Sequence, residues 1–351
     1  MGIFKRIIRA TEDGVDKFQY QVKEKLNLFD LVFIYPYRGF GNQKKARIHG
    51  RILEKEPIIH DKNELPDSFW TNLKKTWKRY ESDEIPGVTI KGEFYGIECT
   101  TISDNEGYFT LEFDGLNSTH LKNGWHPVNL EITDMPFDLE YEKKTTGEIL
   151  ICEQDNPFGI ISDVDDTIIV SDAMHSIKRI ITMISNDAPS RTPFEGVSEL
   201  YHKLIQNFKN PLFFVSGSSY NLYDMLISFC EHHNIPKAPF ILRDLGIDKE
   251  QWIREDSEPY KISNIERIMD IYPKLKFILI GDSGQHDPEI YFKVWKDYPD
   301  RILAIYIRDV HTEDRSDEVT KMAQEIDVPF LLMKDSHQAI EHARMEGWII
   351  D

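Results

Sequence analysis

From Glu148 onward, short apolar runs alternate with stretches of helical periodicity, and each run stops at a polar cluster. This rhythm narrows the fold more than any other feature. Strands that are apolar on both faces must be covered on both, and strands separated by helices pair in parallel. Strands are predicted near residues 158–162, 211–215, 276–280, 302–307 and 328–333, with a fainter candidate at 239–242. After Gly196, residues Val197, Leu200, Tyr201, Leu204, Ile205 and Phe208 fall on one helical face, as do Leu222, Met225, Leu226 and Phe229 in the next helix. Residues 148–351 therefore read as an α/β domain with a doubly wound, mainly parallel sheet.

The preceding segment, 31–147, has a different texture. Alternating or short apolar runs at Leu31 to Tyr35, Ala46 to Leu53, Val88 to Tyr95, Tyr108 to Phe113 and Pro127 to Ile132 are punctuated by turn residues such as Asp104-Asn105-Glu106-Gly107. This predicts a smaller β-sandwich or barrel, interrupted by a helix over roughly residues 68–80. Residues 1–30 are assigned an amphipathic helix. Its Ile3, Phe4, Ile7 and Ile8 share a face beside Lys5, Arg6 and Arg9, which suits an anionic membrane surface or packing on the protein itself. Lys74, Lys75, Lys78 and Arg79 form a second basic run with the same two meanings. The opening Met1-Gly2 resembles a myristoylation signal, but Arg6 stands where Ser or Thr is wanted.

A formal net charge of −18 argues against a nucleic-acid partner, because phosphates would be repelled over most of the surface. Cys99, Cys152 and Cys230 have neither disulfide-framework nor zinc spacing, so a reducing, cytoplasmic setting is expected. No apolar run is long enough to span a bilayer. The expectation is a soluble protein, at most peripheral to a membrane.

Two acidic clusters follow predicted strands: Ser162-Asp163-Val164-Asp165-Asp166-Thr167, and Gly281-Asp282-Ser283-Gly284-Gln285-His286-Asp287. Carboxylates crowded at strand ends repel one another unless a cation holds them, and a hard oxygen-seeking ion such as Mg²⁺ suits them. Ser216-Gly217 follows a third strand, and Lys261 heads a helix between the second and third clusters. Ligands of open α/β sheets bind at the carboxyl ends of the strands. A carboxylate nucleophile, an acid/base, hydroxyl and amide donors, an ammonium and Mg²⁺ are the parts of a phosphomonoester hydrolase.

The order D-x-D-x-T at Asp163, Asp165 and Thr167, then Ser216, Lys261, and Asp282 with Asp287, resembles the haloacid dehalogenase superfamily. More narrowly, Leu279 through Tyr291, Ile305 through Val310, and Arg191 through Val197 resemble the family of the yeast actin-patch phosphatidate phosphatase and its bacterial relatives. The likeness runs over residues 150–345, and more faintly through Arg38-Gly39-Phe40-Gly41 and Gly50-Arg51-Ile52-Leu53. The resemblance implies Asp163 as nucleophile and Asp165 as acid/base, with Thr167 completing the first motif. It implies Ser216, the Gly217 amide and Lys261 as phosphate-binding groups. Mg²⁺ would be held by Asp163, the Asp165 backbone carbonyl and Asp282, with Asp287 close by or reached through water. Asp166 is a helix cap or supporting residue. Arg243-Asp244 and Arg308-Asp309 are salt bridges or substrate contacts, and residues 168–193 are a flap over the site or ordinary packing. The implied substrate is phosphatidate at a membrane surface. A soluble phosphomonoester, and an inert membrane- or partner-binding scaffold, are the alternatives.

Overall fold

The computed structural model describes residues 31–54, 85–116, 121–153, 156–164, 196–206, 209–244, 257–284, 286–309 and 313–349. The amino-terminal helix, the helical insertion with its basic run, Asp165 through Thr167 and the segment 168–193 lie outside them.

Eight strands make the first sheet: β1 (Val32–Pro36), β2 (Gly39–Gly41), β3 (Lys45–Glu54), β4 (Thr89–Phe94), β5 (Ile97–Ile102), β6 (Tyr108–Asp114), β7 (Gly124–Asp134) and β8 (Lys144–Ile151). Their order is β1-β3-β2-β8-β7-β4-β5, with β6 paired to β3, and every pairing is antiparallel except β2 with β8. The strands thus form one hydrogen-bonded sheet, and β5 comes alongside β6 so that the sheet curls around a single core of Ile48, Ile90, Phe113, Val128 and Ile149. The compositional change at residue 147 falls inside β8, whose last residues complete this sheet.

The second sheet is built from β9 (Gly159–Ser162), β10 (Leu212–Ser219), β11 (Phe240–Arg243), β12 (Phe277–Asp282), β13 (Ile302–Arg308) and β14 (Phe330–Met333). Its order is β11-β10-β9-β12-β13-β14, and every pair is parallel. The accompanying helices are α1 (Val197–Ile205), α2 (Tyr223–His232), α3 (Ser257–Ile271), α4 (Asp287–Asp297), α5 (Glu313–Ala323) and α6 (Ser336–Met345). Alternate strand residues serve opposite cores, as the period of two requires. Ile160, Phe214, Ile278 and Tyr306 pack with Leu200, Leu226 and Ile340 of α1, α2 and α6. Ile161, Phe213, Leu279 and Ile305 pack with Ile265, Ile290 and Val319 of α3, α4 and α5.

The two sheets meet in a polar and aromatic seam. Tyr37 stacks on Tyr220 at 4.3 Å between ring centroids, Arg51 donates to the Asn221 Oδ1 at 2.9 Å, and the Tyr272 hydroxyl donates to the Gly41 carbonyl at 2.7 Å. The Arg38–Gly41 and Gly50–Leu53 segments singled out in the sequence lie along this seam, where Phe40 packs edge-on against Phe213.

Candidate active site

Strand register places the first aspartate. Ser162 of β9 aligns with Phe214 on β10 and Ile280 on β12. Asp163 is the next residue, so it emerges at the carboxyl edge, where its N–H donates to the Ile280 carbonyl at 2.9 Å. The Ser162 side chain points to the other face, within 2.7 Å of the buried Tyr201 hydroxyl, and Ser162 Oγ donates to the Asp163 carbonyl at 2.9 Å. Ser162 and the backbone of Asp163 are therefore held in place by the protein itself.

Lys261, the fifth residue of α3, reaches this edge. Its ammonium donates to Asp163 Oδ1 at 2.7 Å and to Asp287 Oδ1 at 2.9 Å. All three side chains are at most 3% exposed, which makes this a buried ion-pair triad rather than a surface bridge. Buried pairs are stable only when geometry and extra hydrogen bonds offset desolvation. The second oxygen of Asp287 meets that condition by accepting the Asp282 N–H at 3.2 Å. Asp287 opens α4, and Pro288 occupies the first turn, where no intrahelical N–H is missed.

Gly281 makes the arrangement possible. It lies in β12 beside Asp163, and a Cβ there would stand 2.6 Å from Asp287 Oδ2 and 2.8 Å from Asp287 Cβ. The carboxylate thus occupies the volume that any larger residue would fill.

Asp282 ends β12, and its Oδ1 accepts the Gly284 N–H at 2.6 Å. Arg315 of α5 braces this turn, donating to the Ser283 carbonyl at 3.2 Å and bidentately to Glu289 at 2.6 and 2.8 Å. Oxygens of Asp163, Asp282 and Asp287 lie within 4.8 Å of one another. Three carboxylates against one ammonium leave an excess of two negative charges, the charge of one divalent cation. Burial pushes the Asp287 carboxyl above its ordinary range; Lys261 pulls it down and Asp282 pushes it up. An all-carboxylate donor set of this size fits Mg²⁺, which takes few carboxylates and keeps waters. Asp163, Asp282 and Asp287 are the residues that would hold it, and the structure brings together these three of the four expected ligands. Asp165 and Thr167 lie outside the described residues.

Ser216 differs from expectation in its setting. The strand does not end there: β10 runs to Ser219, and its register with β11 shifts between Val215 and Ser219. The Ser216 Oγ accepts the Ser218 N–H at 2.9 Å within the stretch where the register shifts. Ser216 is fully buried at the same sheet edge as Asp163. Arg243 lies 5.9 Å from the Tyr260 ring, and Asp309 accepts the Ser316 hydroxyl at 2.8 Å. Gly281, Tyr201 and Arg315 were not visible as site residues in the sequence; their parts depend on register and on helices distant in the chain.

Residues 158–309 match the family model described as phosphatidate phosphatase APP1, catalytic domain. The chain is 32% identical over 234 residues to the phosphatidate phosphatase APP1 of Saccharomyces cerevisiae, covering 64% of this chain and 37% of that protein. It is 27% identical over 219 residues to an uncharacterized protein of Schizosaccharomyces pombe, covering 62% of this chain and 35% of that one. The chain thus spans little more than a third of each curated relative. A carbohydrate acetylesterase from Xanthomonas citri aligns with 82% of this chain and 72% of its own, at 9% identity and a TM-score of 0.27. No described helix is long and apolar enough to cross a membrane.

Proposed function

We propose that this protein is a Mg²⁺-dependent phosphomonoester hydrolase of the haloacid dehalogenase type that converts phosphatidate to diacylglycerol and phosphate. The observation that carries the reading is the buried triad of Lys261 with Asp163 and Asp287 beside Asp282, at the carboxyl edge of a parallel sheet. The match of residues 158–309 to the phosphatidate phosphatase model supports the choice of substrate.

In this reading an Asp163 carboxylate oxygen attacks phosphorus and the bond from phosphorus to the glycerol oxygen breaks. Asp165 gives its proton to the departing alkoxide. Water then attacks the aspartyl-phosphate, Asp165 takes the proton, and phosphate leaves with Asp163 restored. Lys261, already held at 2.7 Å from the nucleophile, keeps that carboxylate oriented and offsets charge gathering on the phosphoryl oxygens, a task shared with Ser216 and the Gly217 amide. Mg²⁺ would supply charge neutralisation between the carboxylates and the incoming phosphate. Peripheral contact with a membrane, through residues 1–9 and Lys74 through Arg79, belongs to the same proposal, as does a cytoplasmic setting.

A substrate panel tests it: micellar and vesicular phosphatidate beside soluble sugar and nucleotide phosphates, each with Mg²⁺ and with EDTA. The expected result is Mg²⁺-dependent phosphate release with phosphatidate preferred. Preference for a soluble ester would replace the lipid assignment, and no turnover of any ester would leave a binding scaffold.

A further inference from the structure

A cavity of about 190 Å³ lies between the first sheet and the parallel sheet, beside α3. Its lining includes Arg38 and Arg47 from the first sheet, Tyr260, Asn264 and Arg267 from one face of α3, and Asp244 after β11. None of Asp163, Ser216, Lys261, Asp282 or Asp287 lines it, so it is separate from the carboxylate–lysine site.

Its charge balance is unusual for a chain of net charge −18. Three arginines and one aspartate line it. The counter-ions of two of them stand outside the cavity: Glu112, 3.5 Å from Arg47 and 63% exposed, and Glu231, 3.9 Å from Arg38 and 68% exposed. Exposed pairs of that length contribute little. Arg267 donates to Asn264 Oδ1 at 2.7 Å and, among the described residues, has no carboxylate within ion-pair distance. Burial, and then the charge of Arg267, lower the Arg47 pKa, so the two guanidiniums repel each other across the space. Asp244 does little to relieve this. Burial and then Glu106 and Asp104 push its carboxyl up to about 7, which leaves much of it uncharged near neutral pH, and the arginine that pulls it down is Arg51. His49, also in the lining, is held neutral by burial and by Arg47.

We propose that this cavity is a second anion site that takes a phosphate-bearing ligand of headgroup size. Arginines present planar forks that match phosphate oxygens, and an anion between Arg47 and Arg267 converts their repulsion into two charge-assisted contacts. The enclosed volume is of the size of a headgroup rather than of a pair of acyl chains. The ligand is either a soluble phosphate ester or the headgroup of a lipid whose chains stay outside. Tyr260 precedes Lys261 on α3, so an occupant would rest on the helix that carries the catalytic ammonium.

The test uses the full chain in EDTA, where the Asp163–Asp282–Asp287 cluster repels phosphate and the arginine cavity is left to report. Inorganic phosphate is titrated at constant ionic strength against chloride, by calorimetry and by thermal unfolding. Wild type should bind one phosphate and unfold at higher temperature with it. Arg47→Gln/Arg267→Gln should bind about tenfold or more weakly. Arg267→Gln alone, checked for fold by circular dichroism, should be intermediate. Glycerol 3-phosphate competing with phosphate identifies a soluble ligand. Flotation with phosphatidylcholine vesicles carrying phosphatidate, lost in the double variant, identifies a headgroup. Either supports the site. No phosphate binding by wild type, or equal binding by the double variant, overturns it. These readouts need no turnover, so they stand apart from the phosphatase reading.

Discussion

Replacing Gly281 with alanine isolates one cause, the space that Asp287 occupies. Gly281 lies within β12 and does not have a positive φ, so alanine adds a methyl group without backbone strain. The new Cβ would begin 2.6 Å from Asp287 Oδ2. Bringing that contact to an ordinary 3.4 Å moves the carboxylate by about 0.8 Å, comparable with the 1 Å misplacement that costs about a hundredfold in rate. Asp287 is fully buried, so it has no free direction in which to yield, and overpacking of this kind costs about 1–3 kcal/mol. The shift also disturbs the bonds to Lys261 at 2.9 Å and to the Asp282 N–H at 3.2 Å. The expected variant folds, with a lower denaturation midpoint, and loses about two orders of magnitude in Mg²⁺-dependent phosphate release. Its Mg²⁺ requirement should also move to higher concentration. Urea denaturation and a Mg²⁺ titration of turnover check both. Unchanged turnover at limiting Mg²⁺ would refute the claim that Asp287's position matters to the site.

Further outcomes are expected. Asp163→Asn should abolish turnover while leaving the chain folded, checked by activity with deamidation excluded by mass spectrometry; retained turnover contradicts the covalent route. Lys261→Gln leaves three buried carboxylates without their ammonium and should cost about 3–5 kcal/mol in metal-free buffer, with part regained in Mg²⁺. Equal denaturation midpoints with and without Mg²⁺ would count against a cation site there. His49 gives a pH dependence, because burial and then Arg47 push its imidazole down to about 3. Its folded pKa is depressed below the unfolded value near 6.5, so the unfolded state binds the extra proton, and stability is present above about 6.5 and lost as pH falls toward 3. By pH 5 the loss is about 2 kcal/mol, set almost wholly by the unfolded value. His49→Gln should flatten that part of the stability profile, and an unchanged acid slope would show that the ring is not shielded.

The parallel sheet was legible because strands buried on both faces must be apolar throughout, and five of its six strands appear as runs such as Phe277 to Ile280. The continuation of β10 through Ser216 and Ser219 was not, since polar residues at a sheet edge carry no hydrophobic signal. In the first sheet β2 is three residues long and β5, with Thr100 and Thr101 adjacent, lacks clean alternation; both exist through pairing with distant strands. Acidic clusters after predicted strands were visible in the sequence, the resemblance singled out Asp163, Asp282 and Asp287 within them, and the structure brings oxygens of these three within 4.8 Å of one another. The reason Asp287 can approach Asp163 was not visible there, because it depends on the register that sets Gly281 beside it. The arginine cavity draws on β3, α3 and the segment before β2, separated by more than two hundred residues, and no local pattern announces it.

The first sheet has a physical part in the site although it contributes none of the carboxylates. The helix α3 must hold Lys261 within hydrogen-bond distance of two aspartates on different elements. Near its amino-terminal end the Tyr260 hydroxyl donates to the Leu242 carbonyl of β11. At its carboxyl end the Asn42 side-chain amide donates to the Ile271 carbonyl, and the Tyr272 hydroxyl donates to the Gly41 carbonyl at 2.7 Å. Asn42 is itself fixed, its side-chain oxygen accepting the Lys44 N–H at 2.7 Å and the Lys45 N–H at 3.0 Å in the turn that joins β2 to β3. One helix end is thus fastened to the parallel sheet and the other to the first sheet. Tyr272 is fully buried and its hydroxyl is paired with the Gly41 carbonyl, so removing the first sheet would hand that hydroxyl to water and free this end of α3. It would also uncover Phe213 and Tyr272 where Phe40 now packs. The segment matching the catalytic-domain model begins at residue 158, after every strand of the first sheet. That segment holds the carboxylate–lysine cluster, but the anchoring of α3, and with it the placement of Lys261, is shared with residues that precede it.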